Sequence, residues 1–204
     1  MGLDYAYAKA VESVTRVDPR TASSSSGVEF DKNRFIIPLF NRIYTVRFPD
    51  CEIAEIGACA RVPKVFKILL MHYLTHADGT DVSGVWISYR QLPGAKLFEQ
   101  KFVNLVSRPM IEFFGSEIDR FRDLAIRLGG KPVGLTGDAA FVFTALPRFP
   151  IACVLNIGED EMPPYANILF DRSAPHYLPT EDVSILGGLM LSFLKRPLQR
   201  LVGR

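Results

Sequence analysis

Cysteine is scarce in this sequence: Cys51, Cys59 and Cys153 are the three, and no Cys-x-x-Cys occurs. An odd number of widely spaced thiols supports neither a disulfide framework nor a zinc knuckle. A charge of one sign is also missing. Lys plus Arg number 24 against 22 Asp plus Glu, a formal net charge of +2. That balance supplies no global pull toward nucleic acid or an anionic membrane, so neither is expected as a partner. Long apolar runs are absent too. The most apolar stretch, 183–194, is broken by Ser184, Gly187, Gly188 and Ser192 and falls short of the ~20 residues a bilayer crossing needs. Asp4, Lys9, Glu12 and Arg16 interrupt the N-terminal region, which therefore does not read as an export signal. A cytoplasmic location is the resulting expectation.

What is present suits a globular interior: 48% apolar residues, 15 Phe among them, in a 204-residue chain, enough for one good core. Residues 3–17 read as a helix on Val11 and Val14, stopped by Asp18-Pro19. Residues 18–27, with four consecutive serines, read as a mobile loop. Residues 28–48 hold three Val/Ile/Phe/Tyr-rich runs separated by polar turns, the pattern of an antiparallel meander. Pro38 marks its strand as an edge or a bulge, because proline donates nothing to the ladder.

Helices are expected over 61–77, 97–106, 116–128 and from about Thr180 to Lys195, with a short strand at 85–89. Arg108-Pro109 is expected to break or kink the second of these. Ser116 with Asp119 suggests a capping box, and the Thr180 hydroxyl a cap for the last helix, with Glu181 and Asp182 at its positive end. Strands are expected over 139–145 and 151–157, joined by a wide loop because Pro147 and Pro150 disfavour a two-residue turn. The whole reads as a single α+β domain over 1–204: one antiparallel sheet, meander plus later strands, with helices packed against it.

Three segments carry a resemblance. The first is Ser83-Gly84-Val85-Trp86-Ile87-Ser88-Tyr89-Arg90-Gln91-Leu92-Pro93-Gly94. The second is Gly137-Asp138-Ala139-Ala140 leading to Ala145-Leu146-Pro147-Arg148-Phe149-Pro150. The third runs from Gly158-Glu159-Asp160-Glu161-Met162-Pro163-Pro164 through Ile168-Leu169-Phe170-Asp171 to Tyr177-Leu178-Pro179-Thr180-Glu181-Asp182. In this order they resemble the family of domain of unknown function 3786, found largely in anaerobic bacteria and archaea. Some members of that family carry an added four-cysteine iron–sulfur domain similar to that of corrinoid proteins. The resemblance thus implies a role near corrinoid or one-carbon metabolism. This chain lacks those cysteines, so no iron–sulfur cluster is expected.

The candidate chemistry is sparse. Glu159, Asp160 and Glu161, with Asp171 and His176 downstream, could hold a divalent cation or supply an acid and a base; without a strong metal-ligand spacing, a solvated turn before two prolines is the simpler reading. His72 and His76 share a helix face at zinc-ligand spacing, but Tyr73 stands where a zincin places its glutamate. They are expected to be partly buried core residues, and no metal site is assigned. Gly129-Gly130-Lys131 and Gly134 to Gly137 lack the Lys-Ser/Thr of a phosphate loop. Trp86, Tyr89 and Arg90 read either as a packed strand with Arg90 paired to a carboxylate, the simpler reading, or as an aromatic–guanidinium surface suited to a flat or acidic ligand. Cys59 and Cys153 sit in apolar surroundings that disfavour thiolate.

No complete catalytic constellation emerges, and catalytic residues stay unassigned. The leading expectation is a non-catalytic accessory or ligand-binding domain of anaerobic cofactor metabolism, with a corrinoid or related tetrapyrrole as ligand class. The alternatives are a metal-dependent enzyme using the 159–176 cluster, and a structural or protein-interaction domain. The ligand-site residues are Trp86, Arg90, Asp138, Arg148, Asp160, Glu161 and Asp171. Of these, Arg90, Asp138, Arg148, Glu161 and Asp171 are expected to converge in one cleft, as turns at element ends do.

Overall fold

A computed structural model describes residues 2–158 and 163–196. The chain begins with helices α1 (Leu3–Thr15) and α2 (Pro19–Ser26). The second of these replaces the expected loop at 18–27. Its start is well specified: Asp18 accepts hydrogen bonds from the Thr21 amide and hydroxyl, each at 2.8 Å, and Pro19 occupies the first turn. Gly27, at φ 73°, ends it in the left-handed conformation, and a Cβ there would press on Pro147 at 3.3 Å. These capping signals outweigh the weak helix preference of serine.

The meander follows as β1 (Glu29–Asp31), β2 (Arg34–Leu39) and β3 (Arg42–Arg47), with β4 (Ile53–Glu55) added. Their order is β1-β2-β3-β4, antiparallel throughout. Pro38 lies beyond the three positions of β2 that β1 covers, so the strand is locally an edge there. Helix α3 (Lys64–His76) buries Ile68, Leu69, Leu70, Met71, Tyr73 and Leu74 and packs against α1.

After the short strand β5 (Trp86–Ser88) the chain turns into α4 (Glu99–Phe102), a π-helical turn over Val103–Ser107, and α5 (Arg108–Phe114). The backbone stays helical from Glu99 through Phe114, so the chain does not break at Arg108-Pro109; Pro109 comes just after the π turn, a common site for local helix irregularity. Helix α6 (Ile118–Arg127) lacks the expected capping box; Asp119 pairs with Arg122 at 2.9 Å instead.

The second sheet contains β5, β6 (Lys131–Pro132), β7 (Ala139–Leu146), β8 (Phe149–Asn156) and β9 (Tyr165–Asp171), in the order β5-β9-β8-β7-β6. The β7–β8 connection is a two-residue turn, Pro147-Arg148, not the expected wide loop. Proline's fixed φ suits the first turn position. A register shift between Thr144 and Leu146 absorbs the change in twist. Helix α7 (Thr180–Lys195) completes the chain, with ten buried residues in its sixteen.

The α+β class is as expected, but the single sheet is not: the meander and the later strands form two sheets. Strand β4 extends the first group to four strands, while β5, β6 and β9 extend the second to five. Each group therefore reaches the usual size without the other. One hydrophobic core still spans both. The Phe40 amide donates to the Ala145 carbonyl at 2.8 Å, and its ring meets Phe143 and Phe193 edge-on at 6.4 and 5.8 Å.

The core beneath the second sheet is aromatic. Phe170 is fully buried and meets Tyr89, Phe102 and Phe149 at 6.2, 5.9 and 6.4 Å, while Tyr89 stacks on Phe102 at 4.1 Å. Phe170→Ala is expected to cost about 3–5 kcal/mol in urea unfolding. A loss below about 1 kcal/mol would show that this cluster does not anchor the sheet.

Candidate functional site

The polar residues flagged in the sequence gather most densely around the segment between α3 and β5, residues 77–84. It is neither helix nor strand, yet it is held at four points. Asp171, at the end of β9 and only 1% exposed, receives three hydrogen bonds from this segment. The Ser83 amide and hydroxyl donate to its Oδ1 at 3.0 and 2.9 Å, and the Gly84 amide donates to its Oδ2 at 2.7 Å. The Ser173 amide adds a fourth at 2.9 Å. Arg148 donates from Nη1 to the Gly79 carbonyl at 3.2 Å, and the Tyr177 hydroxyl donates to the Thr80 carbonyl. The Asp78 amide donates to the His176 carbonyl at 3.3 Å.

Behind this grip, Tyr73 joins three elements. Its hydroxyl donates to the Ser26 carbonyl at 2.7 Å and accepts from the Arg148 amide at 3.0 Å. Burial pushes the phenol pKa up, so it stays neutral and can do both.

On this fixed backbone some side chains remain at the surface. His176 Nδ1 lies 2.7 Å from Asp78 Oδ2, both about half exposed. Hydrogen bonds from Thr80, then from His176, hold the Asp78 carboxyl down at about 2. An ionised Asp78 favours the tautomer that carries the proton on Nδ1, and Nε2 makes no hydrogen bond among the described residues. Asp81 is fully exposed, 3.6 Å from Arg148.

The expected five-residue convergence does not form. Arg148 and Asp171 lie at the same end of the second sheet, with Trp86 opposite Asp171 in the β5–β9 register. Asp138 precedes the first residue of β7, roughly 25 Å from the Arg148 turn at ~3.3 Å per residue. There its carboxylate accepts from the Ile157 amide at 2.8 Å and closes the other end of the hairpin. Arg90 stands on an outer turn, exposed and paired with Glu99. Asp160 and Glu161 lie outside the described residues, as does Glu159. The convergence fails because β7 and β8 are long enough to carry the two turns of the second segment to opposite ends of one sheet.

The two helical histidines also part company. His72 is half-buried and bonds through Nδ1 to the buried carboxylate of Asp182, whereas His76 is exposed and contacts the His72 carbonyl at 3.1 Å. Only the first therefore fits the expected core role. Thr180 does not cap α7; its hydroxyl donates to the Pro93 carbonyl at 2.6 Å. Among the described residues no group of three or more His, Cys, Asp or Glu is arranged to hold a metal ion, and no helix is long and apolar enough to cross a membrane.

Asp78, Thr80, Asp81 and Tyr177 complete the cluster without having been singled out. For the first three the signal was the seven-residue run Asp78-Gly79-Thr80-Asp81-Val82-Ser83-Gly84, largely polar and without periodicity between two apolar elements; Tyr177 stood only within the third segment of the resemblance. The contacts join the first and third segments of the resemblance directly: Ser83 and Gly84 bond Asp171, and the Tyr89 hydroxyl donates to the Thr180 carbonyl at 3.0 Å. Residues 18–192 match the family described as Domain of unknown function (DUF3786). The chain belongs to this family. Neither the curated proteins nor the solved structures provide a match. Ser83, Arg148 and Asp171, one from each of the three DUF3786 segments, thus hold the same loop.

Asp171→Asn tests that anchoring. The substitution keeps the size but turns an amide donor toward N–H donors, so a loss of about 1–3 kcal/mol is expected in denaturant unfolding at neutral pH. Burial alone would raise the Asp171 pKa, but the hydrogen bonds from Ser173 and Ser83 outweigh it and the carboxyl titrates below the ordinary aspartate value. Its stabilisation is therefore complete above the unfolded pKa near ~3.9 and is lost as pH falls through the lower folded value. The gap between the two proteins should be constant above about pH 5 and narrow below about pH 4. An unchanged midpoint at neutral pH would contradict the anchoring role.

Proposed function

We propose that this DUF3786 chain is a ligand-binding accessory domain of anaerobic cofactor metabolism, with a metal-centred tetrapyrrole such as a corrinoid as its ligand class. The observation that carries the reading is the His176–Asp78 pair on the pinned 77–84 loop. A carboxylate that takes one imidazole nitrogen and leaves the other outward is the usual support of a metal-ligating histidine. A bare divalent ion needs several protein donors. A tetrapyrrole brings its own ring nitrogens and asks the protein for one axial ligand. One oriented imidazole suits the second demand better than the first. Arg148, a third exposed and beside the same loop, adds a guanidinium suited to carboxylate or amide groups at a macrocycle's edge.

The fixed backbone supports this reading. Asp171, Arg148 and Tyr177 order the loop during folding, so a ligand meeting His176 does not bear that entropic cost. The same contacts support a second reading, in which the loop is a rigid platform for a protein partner. The metal-dependent enzyme reading draws less support, because the Asp171 oxygens are already engaged by four donors.

Titration with cobinamide, a corrinoid without its own nucleotide base, tests the proposal by absorption spectroscopy. The expected result is a saturable spectral change of imidazole ligation that His176→Gln abolishes without lowering the melting temperature, and that Asp78→Asn weakens. No spectral change, or an equal change in His176→Gln, would overturn it.

A further inference from the structure

A separate feature lies away from the 77–84 loop, where α1 crosses the entry to α3. A cleft of about 310 Å³ opens there, lined by Tyr7, Arg61, Val62, Pro63, Lys64 and Lys67. Its volume is at the lower end of the range for small-molecule sites. Three of its six lining residues are cations. Lys64 is answered by Asp4 and lies 5.8 Å from the centroid of the Tyr7 ring. Arg61 and Lys67 have no acidic partner among the described residues, in a protein whose other surface cations often do, as at Lys9, Arg16, Arg47, Arg90, Lys101 and Arg122. Three positive groups thus line one concavity, and Asp4, which is not part of its lining, answers one of them.

We propose that this cleft binds a phosphate group, presented by a small phosphorylated metabolite. Arg61 offers a planar fork of donors that pairs with two phosphate oxygens, and Lys67 a compact point charge beside it. The half-buried Tyr7 places an aromatic face and a hydroxyl at the wall, and that hydroxyl makes no hydrogen bond among the described residues. Lys67 is itself only partly exposed, so a phosphate drawn to it is partly shielded from bulk screening. The first turn of α3 carries no acidic residue, and its field adds to the attraction that the side chains create. The exposed Pro63 ring, backed by the buried Val62, gives the apolar part of a metabolite a surface to rest on.

Isothermal titration with inorganic phosphate and with glycerol phosphate, at two salt concentrations, tests the assignment. Saturable one-to-one binding that weakens with salt is expected, tighter for glycerol phosphate because of the apolar wall. Lys67→Gln and Arg61→Gln are each expected to weaken it at least tenfold with an unchanged melting temperature. Lys9→Gln, which alters a paired lysine on the exposed side of α1, should leave it within twofold. Absence of saturable binding, or equal weakening by Lys9→Gln, would overturn the site. Neither outcome bears on His176, so the phosphate site and the tetrapyrrole reading stand or fall apart.

Discussion

Asp171 is the constraint on which the end of the fold that carries the 77–84 loop depends. A carboxylate that is 1% exposed would cost several kcal/mol if left unpaired in a protein interior. Here four donors meet it, three of them backbone amides. Those amides belong to Ser83, Gly84 and Ser173, so the same charge fixes the approach to β5 and the turn after β9. The charge and the loop are mutually dependent: neither is stable inside the protein without the other. Trp86 and its strand partner register follow, since β5 pairs with β9 from Asp171 onward.

The aromatic layer beneath gives this arrangement its foundation. Phe170 precedes Asp171 and points into the cluster of Tyr89, Phe102 and Phe149. The alternation of a strand sends neighbouring side chains to opposite faces, so consecutive residues of β9 anchor the core and the loop. Tyr73 extends the same logic to the N-terminal half. Its hydroxyl connects α2 to the β7–β8 turn, and Arg148 then reaches the Gly79 carbonyl. Two parts of the chain far from it in sequence, the β7–β8 turn and residues 171–177, thereby hold one short segment, while His176, Asp78 and Asp81 stay at its surface.

Much of the architecture was legible where periodicity was strong. The meander, α3, β7, β8 and α7 all follow their apolar spacing. The failures have specific causes. Serine-rich composition hid α2, although Asp18, Pro19, Thr21 and Gly27 carried its start and stop. Strand β9 follows an acidic run and two prolines, which obscured its short apolar pattern, and β4 has only three residues. Without those strands the two groups looked too small to form separate sheets. At the site, Arg148, Asp171 and His176 were visible as residue types. Their partners were not, because Asp171 bonds residues 87 and 88 positions away and His176 one 98 positions away. Thr180 and Asp182 illustrate the same limit: local capping rules assigned them to the helix end, and tertiary partners at Pro93 and His72 claimed them.

The central claim is that the 77–84 segment is a loop only in name, held as firmly as the sheet that anchors it. Native-state hydrogen exchange at the Ser83 and Gly84 amides measures this most directly. The account predicts that both exchange with opening free energies close to those of β8 amides, and that Asp171→Asn releases them selectively. Exchange at the rate of an open surface loop in the unmodified protein would contradict it.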